Sequence, residues 1–121
     1  MSAPTEQEIA AVSTAPRVTQ DDIEANIVSE HYFMAADAID DELNAITISH
    51  DGLNGIHPSL EYMTFCVLVL KNGFMVTGES ACASPKNFDP EIGRRVARDN
   101  AVQKIWPLLG FLLKEKLHDK A

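Results

Sequence analysis

Hydrophobic and polar positions change their spacing along the chain, and each spacing predicts a different element. The first apolar stripe follows a helical period and consists of Ile23, Ile27, His31 and Met34. Thr19 precedes it as a candidate N-cap, and Asp22 stands where a capping box needs its acidic partner. The pattern predicts a helix from about Gln20 to Ala36, with His31 as a core or subunit-interface histidine.

Further along, the spacing shifts to two β-branched and apolar runs, Tyr62–Leu70 and Phe74–Ala81, separated by Asn72-Gly73. An Asn-Gly pair between such runs is the strongest short-range signal for a β-hairpin. As a two-residue turn it pairs Lys71 with Phe74, so that paired residue numbers add up to 145. Both faces of this ribbon are apolar near the turn, so both must be covered. A third strand, a helix or a second subunit could do this.

The register also makes a prediction for the two cysteines. Cys66 would face Glu79 and Cys82 would face Met63, which places the two sulfurs on opposite faces of the ribbon. We therefore expect two reduced thiols and no disulfide. The cysteines and histidines lack the close ligand pairs of a zinc site, so no metal site is predicted.

The last third of the chain predicts a long helix. Asp89 is a candidate N-cap and Pro90 suits the first helical position. Pro107 predicts a kink, because it lacks a backbone donor. Small residues at four-residue spacing predict a close approach to a sheet or another helix; they are Gly93, Ala97 and Ala101. The segment Pro107–Leu113 is apolar nearly all round, which is typical of a helix buried on most sides and predicts self-association.

The remaining segments complete the expected organisation. Residues 1–17 are small and polar, which predicts a disordered arm before a single domain over residues 18–118. Within the connection before the hairpin, Ala45–Ser49 alternates and is a candidate third strand. An acidic surface patch precedes it and consists of Asp37, Asp40, Asp41 and Glu42. The predicted class is α+β: an N-terminal helix, an antiparallel hairpin and a long kinked C-terminal helix.

Composition narrows the function classes. The chain has 121 residues, which suits one domain. Its net charge of −8 argues against non-specific nucleic-acid binding, which needs many Lys and Arg contacts to phosphate. Neither a signal peptide nor an apolar run of membrane-spanning length is found, so we expect a cytoplasmic protein.

The polar segment after the hairpin is the candidate ligand site. Backbone donors at a helix start favour anions, and nearby basic side chains could complete a site for a phosphate or nucleotide. The candidate residues are Ser84, Lys86, Asn87, Arg94 and Arg98. The alternative is that Asp89 occupies the helix-start donors and the arginines pair with acidic neighbours. No catalytic residue is predicted, because Gly78–Cys82 lacks the second glycine of a nucleophile elbow.

Several short motifs together resemble one family. They are Ser29–Phe33, Asn72-Gly73-Phe74, Gly78–Cys82, Asn87–Asp89, and Ile105–Pro107 with Gly110. This combination resembles a small family of tailed phages and prophages, named after gene 49 of an Escherichia podovirus and gene 66 of a Shigella phage. The resemblance covers residues 18–117. It implies a phage accessory protein in the bacterial cytoplasm, with no assigned activity and no catalytic residues to transfer.

Three function hypotheses follow. The first is a non-catalytic protein that binds and modulates a bacterial host factor, in takeover or counter-defence. The second is an oligomer that sequesters a nucleotide or another phosphate-bearing small molecule, and the third is a small hydrolase. We expect a homo-oligomer, a dimer or higher, and no cofactor.

Overall fold

The computed structural model describes residues 4–12, 15–39, 45–52 and 56–121. Its longer elements follow the order helix, helix, strand, helix, strand, strand, helix. They are α1 Glu6–Val12, α2 Gln20–Asn26, β1 Ile27–Met34, α3 Ala35–Ile39, β2 Met63–Leu70, β3 Met75–Ala81 and α4 Pro90–Lys120. Short 3₁₀ turns at Pro58–Tyr62 and Pro85–Asn87 precede β2 and α4.

The three strands form one antiparallel sheet in the order β1-β2-β3, and α4 lies across one face of it. Helix α4 contacts mainly β3 and β2, while α2 packs beside α4. The result is a two-layer α+β fold, as the sequence predicts.

The predicted helix from Gln20 to Ala36 is wrong in its second half. Thr19 does cap α2 through a reciprocal capping box with Asp22, but the helix ends at Asn26 and the chain continues as β1. Residues 27–34 include β-branched and aromatic side chains, which fit a pleated sheet better than a helix. Pairing with β2 along the whole strand outweighs the weak helical period.

The third strand of the sheet is therefore β1, and the candidate strand Ala45–Ser49 is irregular. Ile46 and Ile48 are 86% and 78% exposed, so their alternation is not used for packing in the single chain. In the predicted acidic patch, Asp37 is exposed in the first turn of α3, and the rest of the patch falls outside the described residues.

The hairpin forms where predicted, but its loop has three residues instead of two. Leu70 pairs with Phe74 through a 2.8 Å bond from the Leu70 amide to the Phe74 carbonyl, which leaves Lys71–Gly73 as the loop. Gly73 has a φ of 87°, the left-handed position that three-residue hairpin loops require. Every pair is thereby shifted by one residue, and Cys66 faces Gly78 instead of Glu79.

This shift changes the argument about the cysteines but not the outcome. The Cys82 amide bonds the Tyr62 carbonyl, so Cys82 and Cys66 lie on the same face, four residues apart along the ribbon. Four residues span about 13 Å, which is too far for a disulfide. Both thiols are free, as predicted.

The core lies between the sheet and α4. Alternate residues of β2 are buried against the helix, and the main core cluster consists of Ile23, Cys66, Leu68, Leu70, Val76, Ala97, Ala101, Val102 and Ile105. The predicted small residues of α4 are all buried there. At Gly78 the strand comes so close that an added Cβ would overlap the Ala97 carbonyl oxygen and the Ala101 amide.

Helix α4 begins as predicted. The Asp89 carboxylate accepts hydrogen bonds from the Glu91 and Ile92 amides, and Pro90 occupies the first turn. The helix then continues through Pro107 to Lys120 as one element.

The segment before residue 18, predicted as an arm, contains the short helix α1. Thr5 and Glu8 cap its start reciprocally, and Arg17 forms a 2.8 Å ion pair with Glu6 that folds the segment back on itself.

Replacement of Gly78 by alanine tests the close helix–sheet contact. We expect the free energy of unfolding to fall by about 3 kcal/mol, because the new methyl group must displace helix backbone. Urea unfolding followed by circular dichroism measures the change. The matched control is Gly110→Ala, whose methyl group meets nothing within 4 Å and should not destabilise the helix. Equal stability of the two variants would contradict the tight contact.

Candidate functional site

The predicted anion-binding residues lie in two separate settings. Ser84, Lys86 and Asn87 surround the 3₁₀ turn before α4, where Lys86 and Asn87 are exposed. This turn is held by its own chain, because the Asn87 amide bonds the Ser84 carbonyl and the Cys82 thiol donates to that same oxygen at 3.0 Å. Below it, Phe88 packs edge-on against Tyr62.

The two predicted arginines differ. Arg94 is exposed and has no ion pair with the described residues. Arg98 is half-buried and bonds two carboxylates. Both of its terminal nitrogens donate hydrogen bonds to the Glu24 carboxylate of α2, at 3.0 and 2.6 Å. Its Nε donates to the Glu30 carboxylate of β1 at 2.8 Å. Tyr32 donates to the same Glu30 oxygen at 2.7 Å.

The charges of this cluster reinforce one another. Hydrogen bonds from Arg98 hold the pKa values of Glu24 and Glu30 below their ordinary range, and the two carboxylates raise the pKa of Arg98. Burial, followed by the bond to Glu30, raises the pKa of Tyr32. Burial also raises the pKa of the Cys66 thiol, so this cysteine stays protonated and is a poor nucleophile.

Arg98 therefore joins α2, β1 and α4 and is already neutralised by two carboxylates. A phosphate would have to displace them from the guanidinium. Arg98 is engaged by Glu24 and Glu30, whereas Lys86 is exposed in its turn, and the anion site stays a prediction.

The face of the sheet that points away from α4 forms a separate surface, which we call the outer face. Its members alternate along each strand with the residues that point toward α4, and they are Ser29, His31, Phe33, Met63, Phe65, Val67, Val69, Met75, Thr77, Glu79 and Ala81.

The centre of the outer face is apolar. Phe33 and Phe65 stack with ring centroids 5.3 Å apart and an interplanar angle of 16°. Phe33 is 39% and Met75 62% exposed, while Val67 at the centre of the sheet is half-buried. The ionisable side chains of this face lie on the two edge strands, His31 on β1 and Glu79 on β3. An apolar centre with a polar rim is the usual composition of a protein interface.

The free edge of β3 is protected. The Asn100 amide group of α4 donates to the Glu79 carbonyl at 2.8 Å, and the Lys104 amine reaches the Thr77 hydroxyl at 3.4 Å. Side chains that occupy an edge in this way discourage pairing with a further strand.

A cavity of about 500 Å³ lies in the connection between β1 and β2 and is lined by residues such as Ile48, His50, His57 and Leu60. The Nδ1 atom of His57 accepts a hydrogen bond from the Ser59 amide at 3.1 Å, which explains this histidine as a turn cap.

Within the described ranges, no group of three or more His, Cys, Asp or Glu side chains could hold a metal ion. Among the described residues, no helix has the length and apolar character needed to cross a membrane.

Comparison with models of protein families identifies the family of the chain. Residues 18–117, which span α2, the sheet and most of α4, match the model of the phage protein (N4 Gp49/phage Sf6 gene 66) family. The chain belongs to this family. No curated protein and no solved structure matches it significantly.

Sequence reasoning missed β1, and with it the outer face and the Arg98 cluster. Both depend on β1, which carries Glu30 and Tyr32 toward α4 and Phe33 to the other side. A signal was present in the aromatic and β-branched character of residues 27–33, which the helical spacing of four apolar positions obscured.

The Arg98 cluster makes a stability prediction. Arg98→Ala leaves two carboxylates without their partner, so we expect the free energy of unfolding to fall by about 1–2 kcal/mol. Arg94→Ala on the same helix is the matched control and should change it by less than about 0.5 kcal/mol. Chemical unfolding of both variants measures the two free energies. Similar losses of stability would show that the ion pairs of Arg98 contribute nothing measurable.

The same cluster predicts a pH dependence. The folded-state pKa values of Glu24 and Glu30 lie below the ordinary value of 4.5, so their contribution is complete above that pH and is lost as the pH falls below it. The stability difference between the wild type and Arg98→Ala should therefore shrink when unfolding is measured at about pH 3.5 instead of at about pH 7. A difference that stays constant over this range would contradict the assigned ion pairs.

Proposed function

We propose that this phage protein is a non-catalytic binding protein that modulates a bacterial host factor in the cytoplasm, and that the outer face is its binding surface. The observation that carries the proposal is the stacked Phe33–Phe65 pair on a partly exposed and largely apolar sheet face. Aromatic side chains at the centre of a patch are the residue types that contribute most to protein interfaces.

The pattern of the strands supports a binding role. An antiparallel sheet with one solvated face normally places polar residues there. On the central strand β2, the outward positions are instead Met63, Phe65, Val67 and Val69. A contiguous apolar surface of this kind, rimmed by polar residues, is typical of an interaction site.

The family context supports the kind of partner. A phage protein acts among the proteins of the bacterium that the phage infects, and a non-catalytic takeover or counter-defence protein would act by occupying a surface of a host protein. Such a role needs a shape and an apolar centre but no reactive group. The described residues offer this on the outer face, with ionisable groups confined to its two edges.

An affinity experiment tests the proposal. The tagged full chain is used to capture proteins from a lysate of the bacterial host, and the captured protein is identified and its binding measured again with purified components. We expect Val67→Lys, at the centre of the outer face, to weaken that binding at least 10-fold, because a charge would be placed in the apolar centre.

The matched control is Gln103→Lys on the exposed side of α4, which adds the same charge away from the sheet. It should bind as the wild type does, and circular dichroism confirms that both variants are folded. Equal binding of the two variants would assign the partner to another surface. Failure to capture any host protein with the wild type would count against the binding role itself.

A further inference from the structure

The strand β1 forms an open edge of the sheet. It lies at the side opposite to β3, and α4 packs mainly over β3 and β2. Residues 30–33 of β1 are all exposed, whereas alternate residues of β2 are buried. We call the backbone on the free side of this strand, over residues 29–34, the β1 edge.

The hydrogen bonds of the hairpin show which backbone groups of β1 point to the free side. The Leu70 amide bonds the Phe74 carbonyl, so even-numbered residues of β2 bond toward β3 and odd-numbered residues bond toward β1. His31 pairs with the odd-numbered Val67 and therefore directs its backbone groups to β2.

Glu30 and Tyr32 alternate with His31, so their amide and carbonyl groups point away from the sheet. Among the described residues, these four groups have no hydrogen-bond partner. The edge of β3 differs, because Asn100 and Lys104 bond to it. A row of donors and acceptors at strand spacing is matched by another strand, so the β1 edge fits an extended segment.

The charge around β1 favours one source of that segment. Residues 20–39 contain no Lys or Arg, and Arg98 of α4 offsets only one of their acidic charges. The acidic residues are Asp21, Asp22, Glu24, Glu30 and Asp37. Paired strands lie about 4.8 Å apart, inside the ~8 Å over which physiological salt screens charge. A second copy at this edge would therefore be repelled, whereas a basic segment would be attracted.

Glu30 offers a specific contact for a basic side chain. The Arg98 guanidinium and the Tyr32 hydroxyl both donate to its Oε1 atom, at 2.8 and 2.7 Å. Its Oε2 atom has no partner among the described residues, and the side chain is 39% exposed. Because two carboxylates face one guanidinium in this cluster, one negative charge is uncompensated. A lysine or arginine opposite Glu30 in an added strand would balance it.

We infer that the β1 edge binds an extended, basic segment of the host partner as a fourth, antiparallel strand. Side chains of a strand alternate between faces, so this segment carries Lys or Arg on the side of Glu30 and apolar residues on the side of Phe33. Its apolar side chains would extend the outer face beyond Phe33. The inference rests on the proposed binding role, because it identifies the kind of segment that the host partner offers.

A short synthetic peptide of alternating lysine and valine tests the inference, with its binding to the full chain followed by NMR. We expect the amides of Glu30 and Tyr32 to exchange with solvent at least 10-fold more slowly in the complex, since both then donate to the added strand. N-methylation of the lysines should weaken binding at least 10-fold, because their amides face β1. N-methylation of the valines is the matched control and should leave binding unchanged, because their amides face away.

Two variants of Tyr32 separate the backbone from the side chain. Tyr32→Pro and Tyr32→Val both remove the phenol, but only proline removes an amide that faces the free side, and neither removes a bond to β2. The proline variant should bind the lysine–valine peptide at least 10-fold more weakly than the valine variant, with the NMR spectrum showing that both are folded. A peptide of alternating glutamate and valine should bind the wild type at least 10-fold more weakly than the basic peptide.

Equal binding of the two N-methylated peptides would overturn the inference, as would equal binding of the acidic and basic peptides. A wild-type dimer in sedimentation equilibrium that Tyr32→Pro dissociates would also overturn it and would assign the edge to a second copy. The host-binding experiment is read separately, from Val67→Lys on the outer face. A captured host protein that Val67→Lys releases, together with a basic peptide that does not bind, would support the proposed function and contradict only the β1 edge.

Discussion

The close contact between α4 and the sheet is the constraint on which the rest of the structure depends. Where Gly78 passes under Ala97 and Ala101, backbone meets backbone with no room for a side chain. The same contact buries the small residues of α4 and sets the helix nearly over β3 and β2. Because interiors of this density tolerate little change in volume, the helix has one position on the sheet.

The position of α4 decides which surfaces are left for function. One helix layer covers one face of a three-stranded sheet, and α2 extends that layer over the side of β1 through the bonds of Arg98 to Glu24 and Glu30. The side chains of β2 that point to the outer face are all apolar (Met63, Phe65, Val67 and Val69), and α4 does not cover them. The far end of α4 extends past the strands, and no residue of α4 after Ile105 is fully buried. The surface proposed for binding is therefore the face of the sheet that the helix layer leaves uncovered.

Local signals in the sequence were sufficient for several elements. Thr19 and Asp89 mark helix starts because a cap acts within four residues, and Asn72-Gly73 marks the hairpin for the same reason. The predicted two-residue turn was wrong, because only Gly73 of the Asn72-Gly73 pair takes the left-handed conformation. The resulting shift of one residue moved each side chain of β3 to the opposite face of the sheet from the predicted one.

Prediction of the remaining elements was limited because they depend on pairing between distant parts of the chain. Residues 27–34 have a helical spacing of apolar positions and a strand-like composition at once, and pairing with β2, which lies thirty or more residues away, selects the strand. The outer face and the Arg98 cluster could not be predicted for this reason, since each needs β1 in register with β2. Arg98 itself was identified as a residue of interest, but its partners Glu24 and Glu30 were not.

The size of the outer face bears on how tightly it can hold a partner. Three strands about 4.8 Å apart, two of eight residues and one of seven, offer a footprint of roughly 350 Å², well below the ~800 Å² per partner of a standard interface. A host protein seated on this face alone would therefore be bound weakly, and tighter binding would need further contacts outside this face.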